Sequence, residues 1–347
     1  MLVLQVRFRH AEEAKQYLKK HSLFEEGYGI GKDADHLYFP VKKKAELPFP
    51  HSFVNKTLQK KQAALSLTDK LLLDRTLTPQ EVEKHFVSSF DIAGDIAVLE
   101  IMPELVKKEK RIAKALLELY PHVKTVAKKT TATIGKYRVR EVKVIAGKKR
   151  LKTRYKENGC AFDIDLSNIF FSSRLSFERL RVAELAKPGE NVLTLFAGAG
   201  FFPIVLVKKQ PFAKRVVAIE LNPDAVKQMK ANVFLNRMEK KIEVLEGDVN
   251  RVLKKKRFHR FADRVIMPLP HSAFEFLDAT LLATRKGGVV HFYFIPPKQM
   301  DAFKEAHRLV HEACNRNYRD YRIDFQRVVK TYAPHVDHVV LDVKLLN

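Results

Sequence analysis

The pattern of apolar and polar positions changes texture near residue 185. Before that point the elements are mixed. Apolar positions over residues 2–8 predict a strand, residues 11–20 a helix, and "HLYFPV" (36–41) a second strand, together a small unit over residues 1–45. "ELPFPHSF" (46–53) follows, and its two prolines mark a linker. Residues 55–75, polar but leucine-rich, suit a helix on a connecting arm. "LTPQEVEKHF" (77–86) carries a helix start, with Thr78 as N-cap, Pro79 first in the helix and Glu81 placed for a capping box. "FDIAGDIAVLEI" (90–101) ends in an apolar strand after Gly94 and Asp95. In "PELVKKEKRIAKALLELYP" (103–121), Leu105, Ile112, Leu116, Leu119 and Tyr120 recur at helical spacing with lysines between them. "YRVREVKVIAG" (137–147) alternates basic with apolar residues, which predicts a half-exposed strand with one positive face.

From residue 185 strands and helices alternate. The strands are "NVLTLF", "RVVAIEL", "IEVLEGD", "ADRVIMPLP", "GVVHFYFI" and "HVVLDVKLL", separated by helical stretches such as "PDAVKQMKANVFLN". That order predicts an α/β fold with a parallel sheet and crossover helices.

Charge adds a partner to this picture. The 347 residues carry a net charge of +24, and it is unevenly spread. Residues 101–150 hold 15 Lys and Arg against 4 Asp and Glu, and residues 251–300 hold 10 against 3. Two such concentrations suit a polyanion laid across particular faces; the plain alternative is a solvated lysine-rich surface. Nucleic acid is preferred to a membrane, because the basic stretches lie on no strongly amphipathic helix with large exposed apolar residues. No apolar run reaches the roughly 18 residues of a membrane span, and the first arginines come too early for a secretory signal. Cys160 and Cys314, the two cysteines, suggest free thiols in a reducing compartment. Neither has ligand-like neighbours, so no metal site is expected.

"NVLTLFAGAGFFPIVLVKK" (191–209) breaks at Gly198 and Gly200 between an expected strand and helix. A dinucleotide fingerprint needs a third glycine where this chain has Pro203, which weakens an oxidoreductase reading. Glu220 ends the next strand, where a carboxylate accepts from ribose hydroxyls, and Asp248 ends the one after, placed for an adenine amino group. A glycine turn and two acids on three successive strand ends make the S-adenosylmethionine site of a Rossmann-like methyltransferase. The plain alternative is an ordinary tight turn with two loop carboxylates.

"SSFDIAGDIAVLEI", "GKYRVREVKVIAGKKRLKTRYKENGCAFDIDLSNIFFSSRLSFERLRV", "FAGAGFFPI" and "ADRVIMPLPHSAFEFLD" together resemble the tRNA (guanine-37-N1)-methyltransferase family of archaea and eukaryotes. The resemblance runs from about residue 75 to the C-terminus and is loose over residues 1–70. It implies a small N-terminal tRNA-contacting domain (1–70), an α+β RNA-binding domain (71–155) and a Rossmann-like class I methyltransferase domain (156–347). It also implies methyl transfer from S-adenosyl-L-methionine to N1 of guanosine 37, in the cytoplasm. Methylating N1 requires loss of its proton while charge spreads to O6, so a base and a cation are needed. The family's base falls on Glu178 and its O6-stabilising arginine on Arg138; without the resemblance, a plain ion pair would be preferred for these two. Phe170, Arg174 and Arg179 flank the cofactor in the family, the arginines as anchors for the methionine carboxylate; the plain alternative for Phe170 is a core phenylalanine. Phe196, Ala197, Leu221, Asn222, Val249 and Pro268 complete the expected cofactor contacts, and Pro270 lies at the guanine.

Two positions depart from the family pattern. Thr194 stands where many members have Asp, and Pro268-Leu269-Pro270 where many have Asn-Leu-Pro. Proline offers the guanine edge only a carbonyl, so base positioning shifts to the backbone and to neighbours such as His271 and Ser272.

The substrate guanosine must turn out of the anticodon-loop stack into a pocket. Lys148, Lys149, Arg150, Lys152, Arg154 and Lys156, with "KKKR" (254–257), are the candidate phosphate contacts. A three-part asymmetric plan suits a monomer. The alternatives are a bifunctional or wyosine-pathway enzyme acting on the same nucleotide, by C7 methylation or aminocarboxypropyl transfer, and a tRNA-binding protein without turnover.

Overall fold

Strands with one apolar face need a cover, and in residues Met1–Asp69, the first of two units in the chain, one helix provides it. The computed structural model describes residues 1–60, 65–130, 141–297, 300–333 and 336–347. In the first unit four antiparallel strands stand in the order Gly31–Lys32, His36–Pro40, Leu2–Arg7, Ser52–Asn55. Helix Ala11–Lys20 contributes Ala14 and Leu18 to a core with Leu4, Val6, Phe39 and Phe49. The stretch expected to be a linker ends in the fourth strand. Ser52–Asn55 pairs with the open edge of the first strand, Leu2 opposite Asn55, and satisfies its backbone groups. The helix expected over residues 55–75 is shorter among the described residues: Leu67–Leu73 is helical, while Asn55 ends the fourth strand and Lys60 bridges to Tyr28.

The second unit, Lys70–Asn347, opens with helix Pro79–His85, capped by Thr78 and Glu81 in the expected box. A four-stranded sheet follows in the order Asp91–Ala93, Ile96–Leu99, Thr125–Lys129, Val142–Gly147. Helix Glu109–Leu119 buries Ile112, Ala113, Ala115 and Leu116.

A hairpin of Lys152–Glu157 and Cys160–Asp165 turns at Asn158 and Gly159, both left-handed (φ 48° and 76°). Two consecutive positive φ values define the tight turn whose twist matches a hairpin. The hairpin's open edge is closed by a ladder of amides. Side-chain oxygens of Gln228, Asn232 and Asn236 accept from the backbone N–H of Asp165, Asp163 and Ala161 at 2.8, 2.7 and 3.1 Å. Residues four apart on a helix rise about 6 Å, close to the roughly 6.7 Å of two strand residues, so the two repeats mesh.

The seven-stranded sheet comprises β1 (Asn191–Leu195), β2 (Arg215–Glu220), β3 (Ile242–Glu246), β4 (Ala262–Met267), β5 (Thr284–Phe294), β6 (Tyr321–Ala333) and β7 (Val336–Leu345). Its order is β3-β2-β1-β4-β5-β7-β6. The first five strands are parallel as expected. The last two are antiparallel, which corrects the expectation of a wholly parallel sheet. The reason is chain length: β6 ends at Ala333 and β7 starts at Val336, far short of the dozen or so residues a parallel crossover needs.

Helices α1 (Ser176–Leu185), α2 (Phe201–Lys209) and α3 (Pro223–Leu235) pack on one face through Val182, Ile204 and Met229, over Ile266, Tyr293 and Val340. Helices α4 (Val249–Leu253), α5 (Leu277–Ala283) and α6 (Ala302–Arg316) cover the other through Leu253, Leu281 and Val310, over Leu193, Phe292 and Leu341. Each such side chain contributes roughly 1.5–3 kcal/mol on burial.

Candidate cofactor and proton-transfer site

The glycine turn joins β1 to α2. Phe196, Gly198 and Gly200 all have positive φ, at 54°, 57° and 92°. Gly200 is required twice over: it is left-handed, and a Cβ there would lie 3.0 Å from Met229 and 3.1 Å from Ile204. At Gly198 a Cβ would meet no described atom within 4 Å, so that side of the backbone is open to a ligand. Pro203 falls in the first turn of α2, where no intrahelical N–H is needed.

The carboxylate of Glu220 ties this turn to the end of β2. Oε2 accepts from the Gly198 N–H at 2.8 Å, and Oε1 from the Leu221 and Asn222 N–H groups at 2.9 and 2.8 Å. A carboxylate offers about four acceptor positions, so the backbone takes most of them and fixes its direction. Asn222 caps α3 through Asp224 N and donates to the carbonyl of Asn168. Asp248 caps α4, accepting from the Arg251 N–H with Oδ1, and Val249 beside it is buried. Buried Thr194 donates its hydroxyl to the Val217 carbonyl at 3.3 Å.

Glu178 lies in the first turn of α1, where the helix dipole favours a negative charge, and is only 1% exposed. Oε2 accepts from the Tyr293 hydroxyl at 2.9 Å and Arg181 Nε at 3.0 Å. Oε1 lies 3.3 Å from Arg327 Nε yet accepts no hydrogen bond from any described residue.

Behind this carboxylate runs a chain of buried polar groups. Arg181 grips Asp342 through Nη1 at 2.6 Å and Nη2 at 3.2 Å. Asp342 meets His291 Nδ1 at 2.6 Å, and His291 Nε2 meets Arg264 Nη1 at 2.7 Å. Arg264 pairs with Glu190. Because an arginine only donates, His291 Nε2 must accept, which leaves the proton on Nδ1 facing Asp342. Burial lowers the His291 pKa and Asp342 only partly offsets it, so the ring is neutral. Burial pushes the Asp342 carboxyl up, but His291 and Arg181 more than offset it and hold it below the usual carboxylate range. Burial, reinforced by Glu178, raises the Tyr293 pKa well above its ordinary value and keeps the phenol a donor.

The remaining expected residues are dispersed. Arg179 is 3% exposed and makes a bidentate pair with Glu157 at 2.5 and 2.6 Å, with a further bond to the Ser172 carbonyl. That engagement ties α1 to the hairpin and commits Nε and Nη2, the donors a carboxylate anchor would use. Arg174 lies 3.2 Å from Asp91, and Phe170 is 49% exposed. Ala197 is buried and Leu221 and Pro268 half-buried. The Pro270 carbonyl accepts from Ile295 N at 2.9 Å, and the His271 ring stands edge-on to Tyr332. Arg138 lies outside the described residues.

On the hairpin strand, Lys152, Arg154 and Lys156 point outward while Tyr155 and Glu157 point inward. Lys148 and Lys149 are exposed; Arg150 is paired with Asp95, and Arg154 with Asp163. In "KKKR" the three lysines are exposed, and Arg257 pairs with Glu243. Among the described residues no group of side chains is arranged to hold a metal, and no helix is long and apolar enough to cross a membrane.

Tyr293, Arg181, Arg327 and Asp342 were missed by sequence reasoning. For Tyr293 and Asp342 the available signal was a polar residue inside an otherwise apolar strand, as in "VVHFYF" and "VVLDV", which needs a buried partner.

Family descriptions match three stretches: a TRM5/TYW2 methyltransferase domain over residues 153–323, a TYW2 N-terminal domain over 70–150 and a tRNA methyltransferase 5 N-terminal domain over 4–48. A tRNA (guanine(37)-N(1))-methyltransferase Trm5b from Pyrococcus abyssi is 32% identical over 344 residues, covering 99% of each chain. The chain belongs to the TRM5/TYW2 methyltransferase family. Another relative, the tRNA 4-demethylwyosine(37)-methyltransferase Taw21 of Saccharolobus solfataricus, is 34% identical over 278 residues, 79% of this chain and 99% of its own. A solved complex of aTrm5 and tRNALeu covers 100% of both chains with a TM-score of 0.71 and 31% identity. In this TRM5/TYW2 methyltransferase, Glu178, the glycine turn, Glu220 and Asp248 all fall in the stretch matched by the methyltransferase domain.

Proposed function

We propose that this TRM5/TYW2 methyltransferase methylates N1 of guanosine 37 of tRNA, next to the anticodon, giving 1-methylguanosine. One observation carries that choice within the family. Likeness to the Trm5b relative extends over 99% of both chains, whereas the Taw21 relative accounts for 79% of this one. The match to a tRNA methyltransferase 5 N-terminal domain at residues 4–48 favours the same choice. The TYW2 N-terminal match over residues 70–150 keeps C7 chemistry on the same nucleotide as the second reading.

S-adenosyl-L-methionine, when bound, supplies a methyl group on a positively charged sulfur. The open backbone at Gly198 and the acids ending β2 and β3 fit such a ligand. In this reading residues 196–200 cradle it, Glu220 meets the ribose, Asp248 and Val249 meet the adenine, and Pro268 closes the far side. Glu178 takes the N1 proton, freeing the nitrogen lone pair to form the new bond to carbon. Arg138, on the strength of the family resemblance, stabilises the charge that reaches O6. Arg179 acts as a clamp between α1 and the hairpin.

Residues 1–70 and 71–155 are assigned to tRNA contact and residues 156–347 to catalysis. Lys148, Lys149, Arg150, Lys152, Arg154 and Lys156 supply phosphate contacts of little sequence preference. The enzyme acts in the cytoplasm as a monomer in this reading, which sedimentation of the purified protein checks. Nucleoside mass spectrometry of unmodified tRNA treated with protein and labelled cofactor tests the reaction. 1-Methylguanosine at position 37 is the expected product. A C7 product selects the second reading, and tRNA binding with neither cofactor affinity nor label would leave an RNA-binding protein without turnover.

A further inference from the structure

The two oxygens of the Glu178 carboxylate have unequal surroundings. Oε2 is held by Tyr293 from β5 and Arg181 from α1, while buried Oε1 accepts no hydrogen bond from the described residues. Arg181 beside it is shared with Asp342 of β7. We propose that Tyr293 and the Arg181–Asp342 pair are positioning residues that pin Oε2 and leave Oε1 as the atom receiving the substrate proton, with Asp342 balancing the Arg181 charge that faces Glu178. The proposal rests on the reading of Glu178 as the base.

The physical problem is a conflict between holding and basicity. Donors fix a carboxylate in direction, but each donor and each nearby cation also stabilises its charged form and weakens it as a base. A buried glutamate facing a lone arginine would be well placed and inert. Asp342 relieves this. It takes two hydrogen bonds from Arg181, so the guanidinium reaches Glu178 as a donor whose charge is already balanced. His291 and Arg264, with Glu190 behind them, hold Asp342 in turn. On β6, Arg327 is the remaining cation near Oε1; it is 31% exposed and stacks 4.8 Å over the exposed Phe177 ring. His338 of β7 faces Tyr293 and is neutral, its pKa lowered to about 3 by burial and by the charge of Lys330.

Two near-isosteric variants should move the base in opposite directions. Tyr293→Phe removes a donor to the charged form, so the acid limb of the single-turnover rate should shift up by about one pH unit. Asp342→Asn leaves the Arg181 charge unbalanced, so the same limb should shift down and the plateau rate should fall about tenfold. Both are measured in the full chain with saturating tRNA and S-adenosylmethionine, with equilibrium affinity for each recorded. A merely structural role would lower the fraction of active enzyme and leave the limb in place. Should Asp342→Asn fail to fold, Tyr293→Phe alone decides: an unmoved limb overturns the proposal. Glu178→Gln separates the two levels. If it keeps full turnover, the reading of Glu178 as base falls and this proposal with it; if it is inactive while both limbs stay put, only the positioning proposal falls.

Discussion

Two glutamates on opposite halves of one sheet are held by different means. Glu220, at the end of β2, is fixed by three backbone N–H groups, two of them from the next two residues and the third from the glycine turn. Glu178, above β5, β7 and β6, is fixed by side chains, and Tyr293 is 115 residues away in sequence. Backbone donors come with the turn itself, whatever side chains surround it. At Glu178 one donor, Arg181, lies one turn on along α1, but Tyr293 comes from β5, and Asp342, which holds Arg181, is there only because β7 returns antiparallel between β5 and β6. The surroundings of Glu220, the proposed cofactor contact, are therefore built from backbone, and those of Glu178, the proposed base, largely by topology.

Substitutions can break or sharpen that contrast. The largest effect is expected at Glu178. Glu178→Ala should slow methyl transfer by about 10²–10⁴-fold with tRNA affinity nearly unchanged, measured by single-turnover kinetics beside a binding titration. An equal loss of tRNA binding would make the residue structural.

A third carboxylate, Glu157, serves as the control, since its buried pair with Arg179 touches neither half's chemistry directly. Glu157→Gln should cost about 3 kcal/mol of stability by denaturant titration, because Arg179 is left buried and poorly paired. Turnover per folded molecule should change little. Glu220→Ala should weaken S-adenosylmethionine about 10- to 100-fold by calorimetry, sparing tRNA affinity. A matching loss of tRNA binding would show the two halves to be coupled. The smallest effect belongs to the exposed hairpin strand. Lys152→Ala should reduce the slope of log affinity for tRNA against log salt by about 1, without changing which tRNA is bound.

The glycine turn and the strand ends beside it were legible because their signals are short-range. Gly198, Gly200, Glu220 and Asp248 lie at strand ends that apolar runs mark plainly. The capping box at Thr78 was legible for the same reason. The hairpin over residues 152–165 escaped notice although Asn158 and Gly159 announce its turn, because its outer positions are charged and hide the alternation. β6 escaped for a similar reason: Arg322, Asp324 and Arg327 interrupt its apolar positions. Ser52–Asn55 was hidden behind two prolines, and only the free edge of Leu2–Arg7 made it a strand.

The sequence by itself determined the five parallel strands beyond residue 185, the glycine turn and the acids at the ends of β2 and β3, because backbone preferences and nearest neighbours suffice for these. The tertiary structure alone decided that Arg179 serves the hairpin, that the last two strands run antiparallel, and that Glu178 meets Tyr293 and Arg327. Those outcomes depend on which distant strand lies beside which. That order follows from the length of the connections and the satisfaction of buried polar groups across the whole sheet, and no local stretch of sequence contains it.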